Sequence, residues 1–335
     1  MAYYDYTAIA CEWGHTEAVQ YLLHRTDSTL ILKGERNETS KYLLSLNCSV
    51  NVQDVNGTTP LHKASMNFNV EIIKLLLERD GTLLNQQDKD GRTPLHCVFE
   101  HVACLDITRY ETVSCLLNFP ECDINLTDNK GNTPFHLAAR CRDGGDDDDD
   151  DKILPLFIQQ DGLQLNVQND KGQTALHLAA RYCDSNEIKV LLSHKECKVN
   201  TQDKNGDTPL HSCIQSWRNG EKIKSTMIDF NKHDSSILNI KNNKGQTPLH
   251  KAVEEHEFEA VDLLVRLGAE VNIKDNDNRT PLELALGTDA VMTLVNHWAI
   301  VFELFDTDEE PWVIIEAYAE NFCDIPSSSS VRHHD

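Results

Sequence analysis

The chain is poor in aromatic residues, which make up 7% of its 335 positions, so a large core must come mainly from Leu, Ile, Val and Ala. It has no long apolar run: nothing approaches the roughly 18 residues that a membrane-spanning helix needs. The opening Met1-Ala2-Tyr3-Tyr4-Asp5 has no basic region leading into an apolar core and does not read as a secretory signal. Basic residues are scarce. Against 54 Asp and Glu stand 31 Lys and Arg, for a formal net charge of −23. A field of that sign repels nucleic-acid phosphates and anionic lipid, and it attracts basic partners or simply maintains solubility. The eleven cysteines are odd in number and include no C-x-x-C pair. This favours reduced thiols over a disulfide framework or a zinc site, and a cytoplasmic, reducing location is expected.

Signatures of catalysis are missing as well. There is no G-x-S-x-G, no glycine-rich phosphate loop and no H-E-x-x-H. Carboxylates are many but scattered, whereas a catalytic pair must converge in a pocket. No enzyme activity, cofactor or metal site is expected.

What the chain does contain is repetition. Thr59-Pro60-Leu61-His62, Thr93-Pro94-Leu95-His96, Thr133-Pro134-Phe135-His136 and Thr174-Ala175-Leu176-His177 are followed by Thr208-Pro209-Leu210-His211, Thr247-Pro248-Leu249-His250 and Thr280-Pro281-Leu282-Glu283. The threonines are separated by 34, 40, 41, 34, 39 and 33 residues. A D-x-x-G pattern, as in Asp54-Val55-Asn56-Gly57 and Asp128-Asn129-Lys130-Gly131, is expected before each motif and predicts a tight turn. Threonine then suits a helix N-cap and proline the first helical position. A short helix with small residues follows, such as Ala138-Ala139 and Ala179-Ala180. A second, leucine-rich helix comes next, exemplified by Ile72, Ile73, Leu75, Leu76 and Leu77. Short extended pieces such as Val199-Asn200 and Val271-Asn272 are expected to lead to the next turn.

This T-P-L-H phrase and its period resemble the ankyrin repeat. The resemblance covers about residues 7 to 297 and implies a mainly α fold. That fold is a solenoid of helix-turn-helix units joined by β-turn or hairpin loops, with about eight repeats of which the first is degenerate. It also implies that His62, His96, His136, His177, His211 and His250 bond backbone to tie adjacent turns together, rather than ligate metal. Asn125 and Asn272 fit a hydroxylation pattern of the family; the alternative is that they bond locally to backbone.

Division of the chain follows from the motifs. Residues 1–53 read as the degenerate repeat with an insertion, 54–297 as seven T-P-L-H-type repeats, 298–323 as capping helices and 324–335 as a disordered tail. Three longer steps place surface-loop insertions around Val102–Arg109, Arg142–Lys152 and Trp217–Lys224. The middle one holds the aspartates 146–151, read as a solvated loop or, alternatively, a calcium or basic-peptide contact. Cys97, Cys115 and Cys213 should sit on helices as small buried hydrophobes, with Cys141 and Cys183 near the groove.

The resemblance implies partner binding by turn tips and by the exposed face of the first helices, which lines a groove. Five of the seven tips carry a lysine, and the centre of the array is basic. Lys130, Lys171, Arg140, Arg181 and Tyr182 cluster there with Asn132, Gln173 and Lys204. These are the candidate partner-binding residues, suited to an acidic or phosphorylated peptide. The expected function is a non-catalytic scaffold or adaptor, monomeric, with no nucleic-acid or membrane partner. The alternatives are a sequestering inhibitor of a basic surface, or the targeting array of a larger enzyme or effector.

Overall fold

The computed structural model describes residues 50–51, 53–100, 107–140, 153–182, 185–215 and 220–285. Two compact units divide the chain, residues 1–198 and 199–335. The described residues form helices and turns, with no strand among them.

In the first unit the helices are α1 (Pro60–Met66), α2 (Val70–Arg79), α3 (Pro94–Cys97), α4 (Ile107–Leu117), α5 (Pro134–Arg140), α6 (Ile153–Ile158), α7 (Ala175–Tyr182) and α8 (Ser185–Ser193). The motif helices α1, α3, α5 and α7 pack successively side by side, and the intervening helices α2, α4, α6 and α8 form a second layer against them. In the second unit α9 (Pro209–Ile214), α11 (Pro248–Glu254) and α13 (Pro281–Ala285) form the motif row. Helices α10 (Gly220–His233) and α12 (Phe258–Arg266) lie behind them.

Local chemistry sets these helices. Thr59 is extended at φ −92° and ψ 168°, its hydroxyl accepts from the His62 N–H, and Pro60 follows where a missing N–H costs nothing. In α2, Asn69 accepts from the Ile72 N–H at 3.2 Å, Glu71 stands in the first turn and Arg79 in the last, so both charges complement the helix dipole. Ile72, Ile73, Leu76 and Leu77 occupy one buried face of α2. Behind the motif row of the first unit, Phe157 lies 6.2 Å from Phe99 and 5.6 Å from Phe135, tilted against each. Fully burying such side chains contributes about 1.5–3 kcal/mol each.

The turns share one design. In each, the Oδ1 of a leading Asp or Asn accepts from the backbone N–H groups two and four residues on: Asp128 from Lys130 and Asn132, both at 2.8 Å, and Asp275 from Asp277 and Arg279. Two turns depart from the expected D-x-x-G by leading with asparagine, Asn169 and Asn242, which make the same bonds because an amide oxygen accepts as a carboxylate does. The last turn departs at its end, where Asn278 takes the glycine place at φ 64°.

Three further expectations are corrected. Arg109, assigned from spacing to a surface loop, is 2% exposed inside α4, with its guanidinium 5.7 Å from the Phe68 ring. Lys224, read in the same way, lies in α10 and pairs with Glu259. Val199-Asn200 and Val271-Asn272 form turns rather than extended pieces. Of the degenerate repeat, only residues 50–51 and 53 are described. The aspartates 146–151, the capping helices 298–323 and the tail 324–335 lie outside the described residues.

Candidate functional site

The motif histidines are the first residues to place. Nε2 of His62 lies 2.8 Å from the Arg92 carbonyl, which can only accept, so Nε2 carries the proton. Nδ1 then accepts from the Thr59 backbone N–H at 3.2 Å and from its hydroxyl at 2.7 Å. The same arrangement joins His96 to the Asn132 carbonyl, His136 to Gln173, His211 to Gln246 and His250 to Arg279. His177 makes the matching Nδ1 contact with Thr174 at 2.9 Å. Each of the five rings bonded through both nitrogens is therefore committed to its own helix cap and to the backbone of the following turn. Burial pushes the pKa of His62, His96, His136 and His250 below its ordinary value, and that of His211 down to about 4. These rings are neutral structural clamps. In the seventh motif Glu283 makes the corresponding cap, accepting from the Thr280 N–H at 2.6 Å.

Asparagines form a second set of clamps that sequence reasoning missed. The amide of Asn125 donates to the Gly162 carbonyl and accepts from the Gln164 N–H, both at 2.9 Å. Asn85 does the same to Glu121 and Asp123, and Asn166 to Glu196 and Lys198. Asn125 thus grips the next repeat rather than its own neighbourhood. The only signal in the sequence is its recurrence one repeat apart.

Cys97, Cys115, Cys197 and Cys213 are buried, and Cys122 is half-buried. Burial raises the thiol pKa to about 12 for Cys97 and Cys122 and to about 11 for Cys197. Such thiols stay protonated and unreactive. Cys141 and Cys183 lie outside the described residues. Among the described residues no group of three or more His, Cys, Asp or Glu side chains converges to hold a metal.

The candidate partner-binding residues separate into two kinds. Lys130 and Lys171 are exposed at successive turn tips of the first unit. Arg140, at the end of α5, and Arg181 and Tyr182, at the end of the adjacent α7, are also exposed. Tyr182 is 38% exposed, unusual for a large apolar side chain here. Lys204 is exposed at a tip of the second unit. Asn132 and Gln173, by contrast, are 9% and 7% exposed. The Asn132 amide is turned inward onto Asp128 and accepts from Asn169 Nδ2 at 2.9 Å. These two residues, each just before the motif threonine, brace the turns and present little surface to a partner.

Charge pairing distinguishes the exposed cations. Arg92 pairs with Asp88, Asp90 and Glu100. Lys251 pairs with Glu254 and Glu255, Lys244 with Glu254, and Arg279 with Asp275 and Asp277. Lys130, Arg140, Lys171 and Arg181 form no ion pair among the described residues.

Stacked cap-and-turn units of this kind, joined by histidine and asparagine clamps and varying at exposed tips, define a helical repeat protein. Family models described as ankyrin repeats (3 copies) and ankyrin repeats (many copies) match residues 8–110 with 146–234, and 231–285, respectively. The chain belongs to the ankyrin-repeat family, and its repeats form a protein-interaction domain. In a solved structure, the ankyrin repeat domain of Bcl-3 superposes with a TM-score of 0.56 at 26% identity, over 71% of this chain and 99% of that one. Rabankyrin-5 of Mus musculus is 25% identical over 276 residues, which is 82% of this chain and 17% of that protein. A probable serine/threonine-protein kinase of Dictyostelium discoideum is 30% identical over 267 residues, 79% of this chain and 26% of that protein. The chain therefore spans a small part of the length of these relatives. Among the described residues no helix is long and apolar enough to cross a membrane.

Proposed function

We propose that the chain acts as a non-catalytic adaptor, holding a protein partner against the turn tips and motif-helix ends of its first unit. The observation that carries this reading is the set of exposed cations Lys130, Arg140, Lys171 and Arg181, which form no ion pair among the described residues, beside the exposed Tyr182. Arginine and tyrosine are the side chains that most often dominate binding energy, and here they stand on a backbone fixed by clamps. Fixed presentation reduces the entropy lost when a partner docks. The free thiols fit a reducing, cytoplasmic setting.

A second reading has support from the relatives. This chain matches 26% of a probable kinase and 31% of an NAD-dependent deacetylase, both from Dictyostelium discoideum. Arrays of this kind occur as parts of larger proteins with catalytic names, so this one would serve as a targeting array for chemistry carried elsewhere.

The test is affinity capture from lysate with the wild type beside Arg140→Glu/Arg181→Glu. Partners captured by the wild type should be lost from the double variant while its thermal melt is unchanged. An unchanged partner set would move recognition away from these helix ends.

A further inference from the structure

The unpaired cations also have a spacing, and it selects a ligand. Each turn is a narrow loop of two chain segments, closed in the case of residues 128–132 by the Asp128 N–H donating to the Asn132 carbonyl at 2.8 Å. Successive turns are bonded edge to edge. The Asn129 N–H donates to the Asp90 carbonyl at 2.8 Å and the Asp170 N–H to the Lys130 carbonyl at 3.0 Å. Hydrogen-bonded segments lie about 4.8 Å apart, so equivalent points on neighbouring turns are separated by about 10 Å. The packed helices α5 and α7 give the same figure independently, since helix axes in contact lie about 8–10 Å apart. Lys130 and Lys171 thus repeat at about 10 Å along the tips, and Arg140 and Arg181 repeat at about 10 Å along the helix ends. Lys89, exposed at the preceding tip, stands one position earlier in its turn than Lys130 and Lys171, and Asp90 holds the equivalent place there, so the row consists of two lysines.

A polypeptide in the extended polyproline II conformation advances about 3.1 Å per residue with three residues per turn, so every third side chain returns to the same face after about 9 Å. We propose that this surface binds an extended acidic segment of a partner, running across the repeats with a carboxylate at every third residue. This rests on the adaptor reading above and names the chemistry of the partner. Carboxylates of the same turns have partners of their own. Glu100 and Asp90 are engaged by Arg92, and Asp128 is occupied by the Lys130 and Asn132 N–H groups. Asp170, exposed between the two tips, sets one point of repulsion that a ligand carboxylate avoids by meeting the lysines on either side.

The experiment is fluorescence anisotropy with two labelled peptides of equal composition. One consists of five Glu-Ser-Thr triplets; the other carries its five glutamates contiguously. The triplet peptide should bind the full chain roughly tenfold more tightly, and Lys130→Glu/Lys171→Glu should remove that preference, as should the milder Lys130→Gln/Lys171→Gln. Binding should weaken steeply with salt. Equal affinity for the two peptides would overturn the spacing argument, and binding of only a phosphoserine-bearing triplet peptide would overturn the carboxylate assignment. Failure of both peptides, with captured partners still sensitive to Arg140→Glu/Arg181→Glu, would refute the acidic ligand and leave the adaptor reading intact. Loss of that sensitivity would refute the adaptor reading itself.

Discussion

At the scale of residues, the motif histidine carries the most consequence. Its two ring nitrogens serve two neighbours, the cap of its own helix and the carbonyl of the next turn, and only the neutral ring can do both. Protonation would put a hydrogen on Nδ1, where the Thr N–H already points. The sign of the pH dependence follows. The folded-state pKa values are depressed, so below the ordinary value of 6.5 the unfolded chain binds protons that the folded chain refuses. Stability is complete above about 6.5 and falls as the pH drops toward the folded values. His211, the most deeply buried of these rings, contributes to this loss because desolvation disfavours its charged form. Asp54 and Asp275, held below the ordinary carboxylate value despite partial burial because they accept backbone N–H groups, add losses only at lower pH. Denaturation midpoints should therefore be level from pH 7.5 to about 6.5 and fall steadily from there to pH 4.5. His211→Gln, which cannot titrate, should be less stable at pH 7 but show a shallower fall. A midpoint constant down to pH 5 would contradict the neutral-clamp account.

At the scale of elements, helix starts and turns were legible because their causes are local. Threonine, proline and the leading Asp or Asn act within four residues, so a short window holds all the information. What joins one repeat to the next was legible only in part, since the histidine ties followed from the family resemblance and the asparagine clamps did not. Asn125 grips residues 37 and 39 positions away, and Arg109 lies inside a helix where spacing alone suggested an insertion loop. The inward turn of Asn132 and Gln173 escaped the sequence for a related reason: position beside an exposed tip does not fix the direction of a side chain. Glycines within the turns show how closely the elements approach. Gly245 has φ 74°, and a Cβ there would stand 2.6 Å from the Asn276 backbone nitrogen. Gly268 has φ 97° but nothing within 4 Å of its would-be Cβ. Gly268→Ala should cost only the left-handed penalty of about 1–2 kcal/mol, whereas Gly245→Ala adds a steric term of about 1–3 kcal/mol. Urea melts of the two variants measure the difference. Equal losses would mean that turn-to-turn contact is looser than described.

At the scale of the molecule, the chain carries an excess of 23 negative charges, yet Lys130, Arg140, Lys171 and Arg181 form no ion pair among the described residues. The fold was readable from seven copies of one motif, since repetition amplifies a weak local signal. The binding surface was readable only as a set of candidates. Which lysines and arginines are already neutralised depends on side-chain geometry, and in that respect Arg92 and Arg140 look alike in the sequence and differ in the structure. The central claim is that partner recognition belongs to the tips and motif-helix ends of the first unit. Calorimetric titration of a captured partner tests it most directly. Arg140→Glu/Arg181→Glu would be compared with Lys74→Glu/Lys189→Glu, a reversal of equal charge on exposed positions of α2 and α8 in the same unit. The account predicts at least roughly a tenfold loss of affinity for the first pair and little change for the second. Equal losses would reduce recognition to net charge, and a loss confined to the second pair would place the partner on the opposite layer and contradict the account.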